Sequence, residues 1–337
     1  MAPSLSWGIA LNLLAGLMAG NCMLPMKFNR TWKWENTWLV FSLVSLVILP
    51  WILALCFVNH LLEVYSRLSL IQFGLPFLFG VGWGVAQVMF GISVARLGLG
   101  LAYAIIIGLG AILGTLVPLF AQHRSELNWA AIIEILGGVA LMVAGISLST
   151  WGGQIRERSG RVTLQSKPAH GYFIAVLLAI ACGVMAPMLN YSFAFGQDIA
   201  HQAISQGNSP LFSAYAVWPI GLAGGFLPNL IYSLHLLGKT KSWSSFQRPV
   251  PDIFWSALMG VLWMGSMALY GMSATYLGPF GTSVGWGLFQ IFMIMTATLS
   301  GLIMGEWKGA PRSAKLMLVL GLACLTGATT LMAMGNR

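Results

Sequence analysis

The sequence predicts an all-α polytopic membrane protein with ten transmembrane helices arranged as two inverted five-helix repeats. Three observations carry this expectation. Ten apolar stretches, each about the 20 residues an α-helix needs to cross a bilayer, fill most of the 337 positions. Basic residues collect in every second gap between them. A motif in the third stretch recurs in the eighth.

The stretches lie near residues 5–25, 37–59, 71–94, 99–121, 128–150, 171–194, 210–235, 253–275, 281–304 and 316–334. The odd-numbered gaps hold Lys27, Arg30 and Lys33; Arg96; Arg156, Arg158, Arg161 and Lys167; Lys239, Lys241 and Arg248; and Lys308, Arg312 and Lys315. Of the 17 basic residues, only Arg67, Arg124 and Arg337 fall on the other side. Cytoplasmic loops carry the Lys/Arg excess, so the odd gaps are expected inside and both termini outside. The first stretch has no basic residue ahead of it, and Ala19-Gly20-Asn21-Cys22 departs from a small-x-small cleavage site. It reads as a retained span rather than a signal peptide.

Composition excludes several function classes. Charged residues are 7% of the chain, against about 25% in soluble domains, and no long window between spans leaves room for a soluble catalytic domain. The net charge of +9 would suit nucleic acid, but no basic run interleaved with aromatics lies on a soluble segment. Topology accounts for the charge, and no nucleic-acid partner is expected. Cys22, Cys56, Cys182 and Cys324 sit singly in four stretches, without zinc or disulfide spacing, so neither a metal nor a cofactor is expected.

The longest polar gap divides the chain into a first half (1–150), a cytoplasmic connecting loop (151–170) and a second half (171–337). Five spans is an odd number, so the second half enters the membrane inverted, and inverted halves of carriers retain weak internal similarity. At an offset of 180, Gly80-Val81-x-Trp83 matches Gly260-Val261-x-Trp263, Phe90-Gly91-x-Ser93 matches Tyr270-Gly271-x-Ser273, and Leu97-Gly98 matches Leu277-Gly278. Pro25-Met26 and Pro187-Met188 give a fainter echo between stretches one and six. Small-xxx-small pairs such as Gly16/Gly20, Gly110/Gly114 and Gly281/Gly285 suit close helix packing in lipid. Pro25, Pro50, Pro76, Pro118, Pro187, Pro219 and Pro228 interrupt helix hydrogen bonds, as ordinary kinks or as hinges.

One motif, VGWGxxQ, occurs as Val81–Gln87 and again as Val284–Gln290. Trp and Gln four residues apart share a helix face. Together they offer a flat aromatic surface beside an amide that donates and accepts, which a sugar's C–H face and hydroxyls both use. Trp83, Gln87, Trp286 and Gln290 are therefore expected to line a cavity, joined by Asn190 after the Pro187 break and by Trp263. The plainer alternative is that the amides bond between helices and the indoles fill the bundle. The same choice applies to Asn12, Asn21, Asn229, Tyr103, Tyr191, Tyr215 and Tyr270. Trp32, Trp34, Trp38, Trp129, Trp151 and Trp307 sit at span ends and read as interfacial anchors. Glu134 is the one carboxylate plainly inside a span and is the candidate for a coupling proton; the plainer alternative has it reaching the outer interface.

Pro25-x-Lys27-x-x-x-x-Trp32-x-Trp34-Glu35-x-x-Trp38, followed by Ile48-Leu49-Pro50-Trp51, resembles the L-rhamnose–proton symporter family. The resemblance continues through Phe77–Gly80 with Trp83-Gly84, Leu97-Gly98, Gly114-Thr115-Leu116, Pro210-Leu211, Gly224-Gly225 with Asn229, and Glu306-Trp307 with Arg312. It implies the drug/metabolite transporter fold in a bacterial inner membrane, a central sugar site and proton-coupled alternating access. The chain departs from the family pattern at Thr282, where an acidic residue is expected, and at Gln87, where an Asn is. The expected partners are a small neutral sugar, H+ as coupling ion and the lipid bilayer, with monomer and homodimer both open. The rival readings are an exporter or carrier of another metabolite and, further off, a membrane-embedded enzyme or sensor. An enzyme would want paired intramembrane His, Asp or Glu.

Overall fold

The computed structural model describes residues 4–124, 127–159, 172–247 and 251–336. Glu126, Arg161, Lys167, Arg248 and Arg337 of the charge pattern lie outside the described residues. Among the described residues every regular element is helical.

Among the described residues ten helices are long and apolar enough to cross a membrane: α1 Leu5–Phe28, α2 Trp34–Phe57, α3 Leu70–Val94, α4 Leu101–Gln122, α5 Trp129–Ser159, α6 Tyr172–Ser205, α7 Trp218–Thr240, α8 Pro251–Phe280, α9 Val284–Ile303 and α10 Arg312–Gly335. Each corresponds to one apolar stretch. Three boundaries move. Helix α5 continues past 150 to Ser159, so the first residues expected in the connecting loop are helical. Helix α6 breaks between Met185 and Met188, where Pro187 cannot donate, and proceeds as two short helices, Met188–Ala194 and Gln197–Ser205. The stretch expected from 210 begins with a 3-10 turn, Ser213–Ala216, ahead of α7.

Hydrogen bonds between loops show which gaps share an end of the bundle. The Trp32 indole donates to Ser245 O, and Lys27 pairs with Glu306, to which Arg156 adds. Gaps 1, 7 and 9 and the basic end of α5 therefore meet at one end. At the opposite end Asn59 N donates to Asn208 Oδ1, the Gln122 amide reaches Ala194 O, and the His123 ring meets Phe280. Ser4 N donates to Tyr276 O and the Asn336 amide to Leu277 O, so both ends of the described chain lie there too.

The helices pack as the pairs α5·α10, α3·α7, α1·α8, α1·α9, α3·α6, α4·α6, α2·α7, α2·α8 and α4·α9. In lipid no hydrophobic drive joins helices, so close backbone approach must do it. Glycines make it possible. A methyl on Gly80 would strike Gly221 O and one on Gly224 would strike Phe77 O, which fuses α3 to α7. Gly16 and Gly20 do the same for α1 against Phe292 and Met293 of α9, where Thr296 Oγ1 also donates to Gly16 O at 2.9 Å.

Candidate functional site

A central cavity of about 650 Å³ lies in the half of the bundle next to the basic end. Several helices contribute the parts that end there: α1 after Ala19, α2 before Trp38, α3 from Trp83 to Val94, and α4 from Tyr103 to Ile107. Trp83, Gln87, Trp263, Trp286 and Gln290 all line it. The Trp83 and Trp263 rings stack at 5.4 Å between centroids and 24° between planes, joining positions 180 residues apart in the matched motif. The Trp286 indole is held by a 3.4 Å bond to Gly110 O and sits edge-on to Tyr270 at 5.8 Å. Helical spacing then places Gln87 one turn beyond Trp83 and Gln290 one turn beyond Trp286.

Neither glutamine amide has a hydrogen-bond partner among the described residues, although both face the cavity. An amide carries two donors and one acceptor oxygen, and an unpaired one in apolar surroundings calls for a partner from outside the protein. No charged side chain is among the lining residues. Bringing an ion into so apolar and uncharged a site costs several kcal/mol, so the chamber suits a neutral, hydroxyl-bearing solute with an apolar face.

Asn190 departs from its expected place. It is fully buried and does not line the cavity. Its Nδ2 donates to Gly114 O at 2.9 Å and Thr282 O at 2.8 Å, and its Oδ1 accepts from Tyr270 Oη at 2.6 Å. Both of its N–H groups and one oxygen lone pair are taken by α4, α8 and the turn before α9, and the Pro187 break aims it between helices. Asn190 belongs to a seal that closes the opposite end. Tyr191 Oη donates to Leu113 O at 3.0 Å, Ser192 Oγ to Pro76 O at 2.8 Å and Tyr65 Oη to Ala216 O at 2.8 Å. Phe193 stacks on Trp218 at 4.7 Å. Glu134 also lies away from the chamber, on the second turn of α5, with its Cβ near Gly335 of α10.

Two of the expected interfacial anchors are instead cavity walls. Trp34 and Trp38 stack at 4.9 Å and 16°, with Tyr232 edge-on to Trp34, and all three line the chamber towards the basic end. Their i, i+4 spacing, which puts both rings on one helix face, is the signal that could have found them. Trp38 Nε1 donates to Asn229 Oδ1 at 2.8 Å, which fixes the ring. Trp32 and Trp307 are only 8% exposed and pack inside loops, whereas Trp129 at 80% and Trp151 at 57% keep the exposure an anchor needs.

The loop before α2 is clamped on both sides. Asp252 accepts from the backbone N–H of Arg30, Thr31 and Trp32 at 2.8 to 3.0 Å and from the Thr31 hydroxyl. Glu35 accepts from Thr240 and Ser242. Nearby, Lys27 Nζ reaches Glu306 at 2.9 Å, Arg156 approaches it at 3.6 Å, and the Arg156 guanidinium lies 4.8 Å over the Trp307 ring. The Lys27 hydrogen bond, with the Lys27 and Arg156 charges behind it and burial opposing, holds the Glu306 carboxyl below its ordinary 4.5. A carboxyl depressed in the folded state stabilises the fold above its unfolded pKa and loses that contribution as pH falls through its folded pKa. The melting-temperature gap between wild type and Glu306→Gln should therefore be full at neutral pH, close progressively as pH drops below 4.5, and shrink in high salt. A gap that widens on acidification would contradict this.

Ten spanning helices around a chamber open towards one end and sealed at the other are the architecture of a membrane carrier. The chain belongs to the L-rhamnose-proton symport protein (RhaT) family, whose model matches residues 1–336. Similar proteins named L-rhamnose-proton symporter include those of Citrobacter koseri and Escherichia coli O157:H7, each 26% identical over 344 residues, and of Salmonella gallinarum, 26% identical over 348. In each comparison 99% of both chains is covered.

Proposed function

We propose that this protein carries a neutral monosaccharide of the rhamnose class across a bacterial inner membrane with a proton, by alternating access. The observation that supports this most is the pair of unpartnered amides, Gln87 and Gln290, each one turn from an indole in a chamber without lining charge. Trp83, Trp263 and Trp286 would hold the sugar's C–H faces, and the two amides its hydroxyls. The basic end faces the cytoplasm in this reading, by the Lys/Arg excess, so the present conformation is inward-open with both termini outside.

The two halves rock as inverted repeats. In support, the nine pairs named above are unchanged when every helix is exchanged with the one five places along, although the smaller α5·α9 contact has no such counterpart. α1·α8 becomes α6·α3, α1·α9 becomes α6·α4 and α3·α7 becomes α8·α2, while α5·α10, α2·α7 and α4·α9 map onto themselves. The proton has no carboxylate or imidazole to occupy in the described lining, so if Glu134 carries it, it does so outside the chamber.

The test is a thermal-shift series of monosaccharides, L-rhamnose among them, on wild type and Gln87→Ala, with liposome uptake of the stabilising sugar with and without a pH gradient. A ligand that binds the native state raises its melting point by mass action. Weaker stabilisation of Gln87→Ala than of wild type at the same sugar concentration is expected, with gradient-driven uptake by wild type. Glu134→Gln should keep the shift and lose the gradient dependence if Glu134 couples. Equal stabilisation of wild type and Gln87→Ala by a sugar would remove Gln87 from the site.

A further inference from the structure

Behind the stacked Trp83 and Trp263 lies a second, smaller cavity of about 30 Å³, between α2, α3, α7 and α8. Its polar walls are Ser42, Gln87 and Asn229, and Gln87 borders both this space and the main chamber. Ser42 is 0% exposed and its hydroxyl has no partner. The next serine along α2 behaves differently: Ser45 Oγ donates to Phe41 O at 2.7 Å, the bond a helical serine makes when nothing else is offered. Asn229 is fixed by two bonds, Nδ2 to Gly225 O at 2.9 Å and Oδ1 from Trp38, which leaves one lone pair on Oδ1. Helix α2 also turns irregular here, with a π-helical segment at Val44–Ile48 directly after Ser42, and Leu46 of that segment lines the space. Such segments widen a helix locally and gather at functional sites.

We infer that this cavity is a binding site for ordered water, bridging the Ser42 hydroxyl, Asn229 Oδ1 and the rear of the Gln87 amide, so that Ser42 positions Gln87 for the sugar. The inference rests on the sugar-site reading above. A water needs roughly 10–15 Å³ and two to four polar partners; this space holds one or two waters and offers three. A hard cation fits worse, because it takes six or more oxygens and the walls supply three neutral groups and no carboxylate. The water would set which end of the amide, carbonyl or NH2, faces the solute. That choice decides which sugar hydroxyls donate and which accept, and it makes Ser42 a specificity-determining residue that never touches the substrate.

A double-mutant cycle reads this directly, with L-rhamnose as the probe and dissociation constants measured on Ser42→Ala, Gln87→Ala and the double variant. Ser42→Ala should weaken binding about fivefold, the size of one neutral hydrogen bond. The same change in the Gln87→Ala background should have no further effect, since the water then has no amide to orient. The near-isosteric Ser42→Cys should behave as Ser42→Ala and guards against a folding artefact. Equal losses in both backgrounds, or none in wild type, overturn the proposal. Tighter binding in sodium than in choline buffer, abolished by Ser42→Ala, would make the space a cation site instead. If Gln87→Ala alone leaves binding unchanged, the sugar-site reading itself fails, which the cycle distinguishes from failure of the water bridge.

Discussion

Replacing Trp263 by Ala is expected to reduce sugar affinity about 30-fold and to remove most uptake at low substrate. The ring is one face of the Trp83–Trp263 stack at 5.4 Å and is partly open to the chamber. A hexose face laid on an indole removes on the order of 80 Å² of apolar surface from water, worth about 2 kcal/mol, and that alone is about 30-fold in affinity. Trp263→Ala also frees Trp83 to tilt, which spoils the second surface. Trp263→Phe keeps a ring of smaller area and should lose only about threefold to fivefold. Binding constants from calorimetry on the two variants and wild type check the order. A Trp263→Ala protein that binds sugar as well as wild type would show that the stack merely fills the bundle.

Asn190→Ala is expected to be the most destabilising single substitution in the seal, by about 3 kcal/mol. The change removes three bonds at once, those to Gly114 O and Thr282 O and that from Tyr270 Oη, at 2.6 to 2.9 Å in a fully buried setting, and leaves Tyr270 Oη only its 3.3 Å bond to Thr282 O. Gly114 O has no helical donor to fall back on, since Pro118 one turn on lacks an N–H, and a buried polar group without a partner costs about 1–3 kcal/mol by itself. Tyr270→Phe removes the bonds to Asn190 Oδ1 and Thr282 O but keeps the Asn190 amide on Gly114 O, so it should cost less. The loss should also loosen the closed end. Cys22 and Cys182 line the chamber, so with Cys56→Ser and Cys324→Ser in place they report its access. A membrane-impermeant maleimide added from outside should spare them in wild type and label them in Asn190→Ala. Labelling of wild type from outside would invert the orientation proposed here. An unchanged melting point in Asn190→Ala would remove the residue from the seal.

The seal and the chamber differ in how their polar groups are used. At the sealed end Asn190, Tyr191, Ser192 and Tyr65 are all spent on backbone carbonyls of other helices. At the chamber Gln87 and Gln290 have no hydrogen-bond partner among the described residues. Residue type does not tell these apart, since an amide in a span reads the same whether its partner is a carbonyl or a solute. Asn190 therefore looked like Gln87 on the sequence and proved to be its opposite.

Ten spans, their alternation between two ends and the repeated Trp–Gln faces follow from the sequence alone. Hydrophobic length, the distribution of Lys and Arg and four-residue spacing are local sums, complete within one stretch of chain. The tertiary structure alone decides which faces meet. Trp34 and Trp38 sit at a span end, where tryptophans commonly anchor in the interface, yet Asp252 and Glu35 clamp their loop so that both rings turn inward. Orientation of that kind depends on hydrogen bonds to residues some 200 positions away, as from Trp32 to Asp252. No local pattern carries it, because the energy that fixes it arises only when distant helices come into contact.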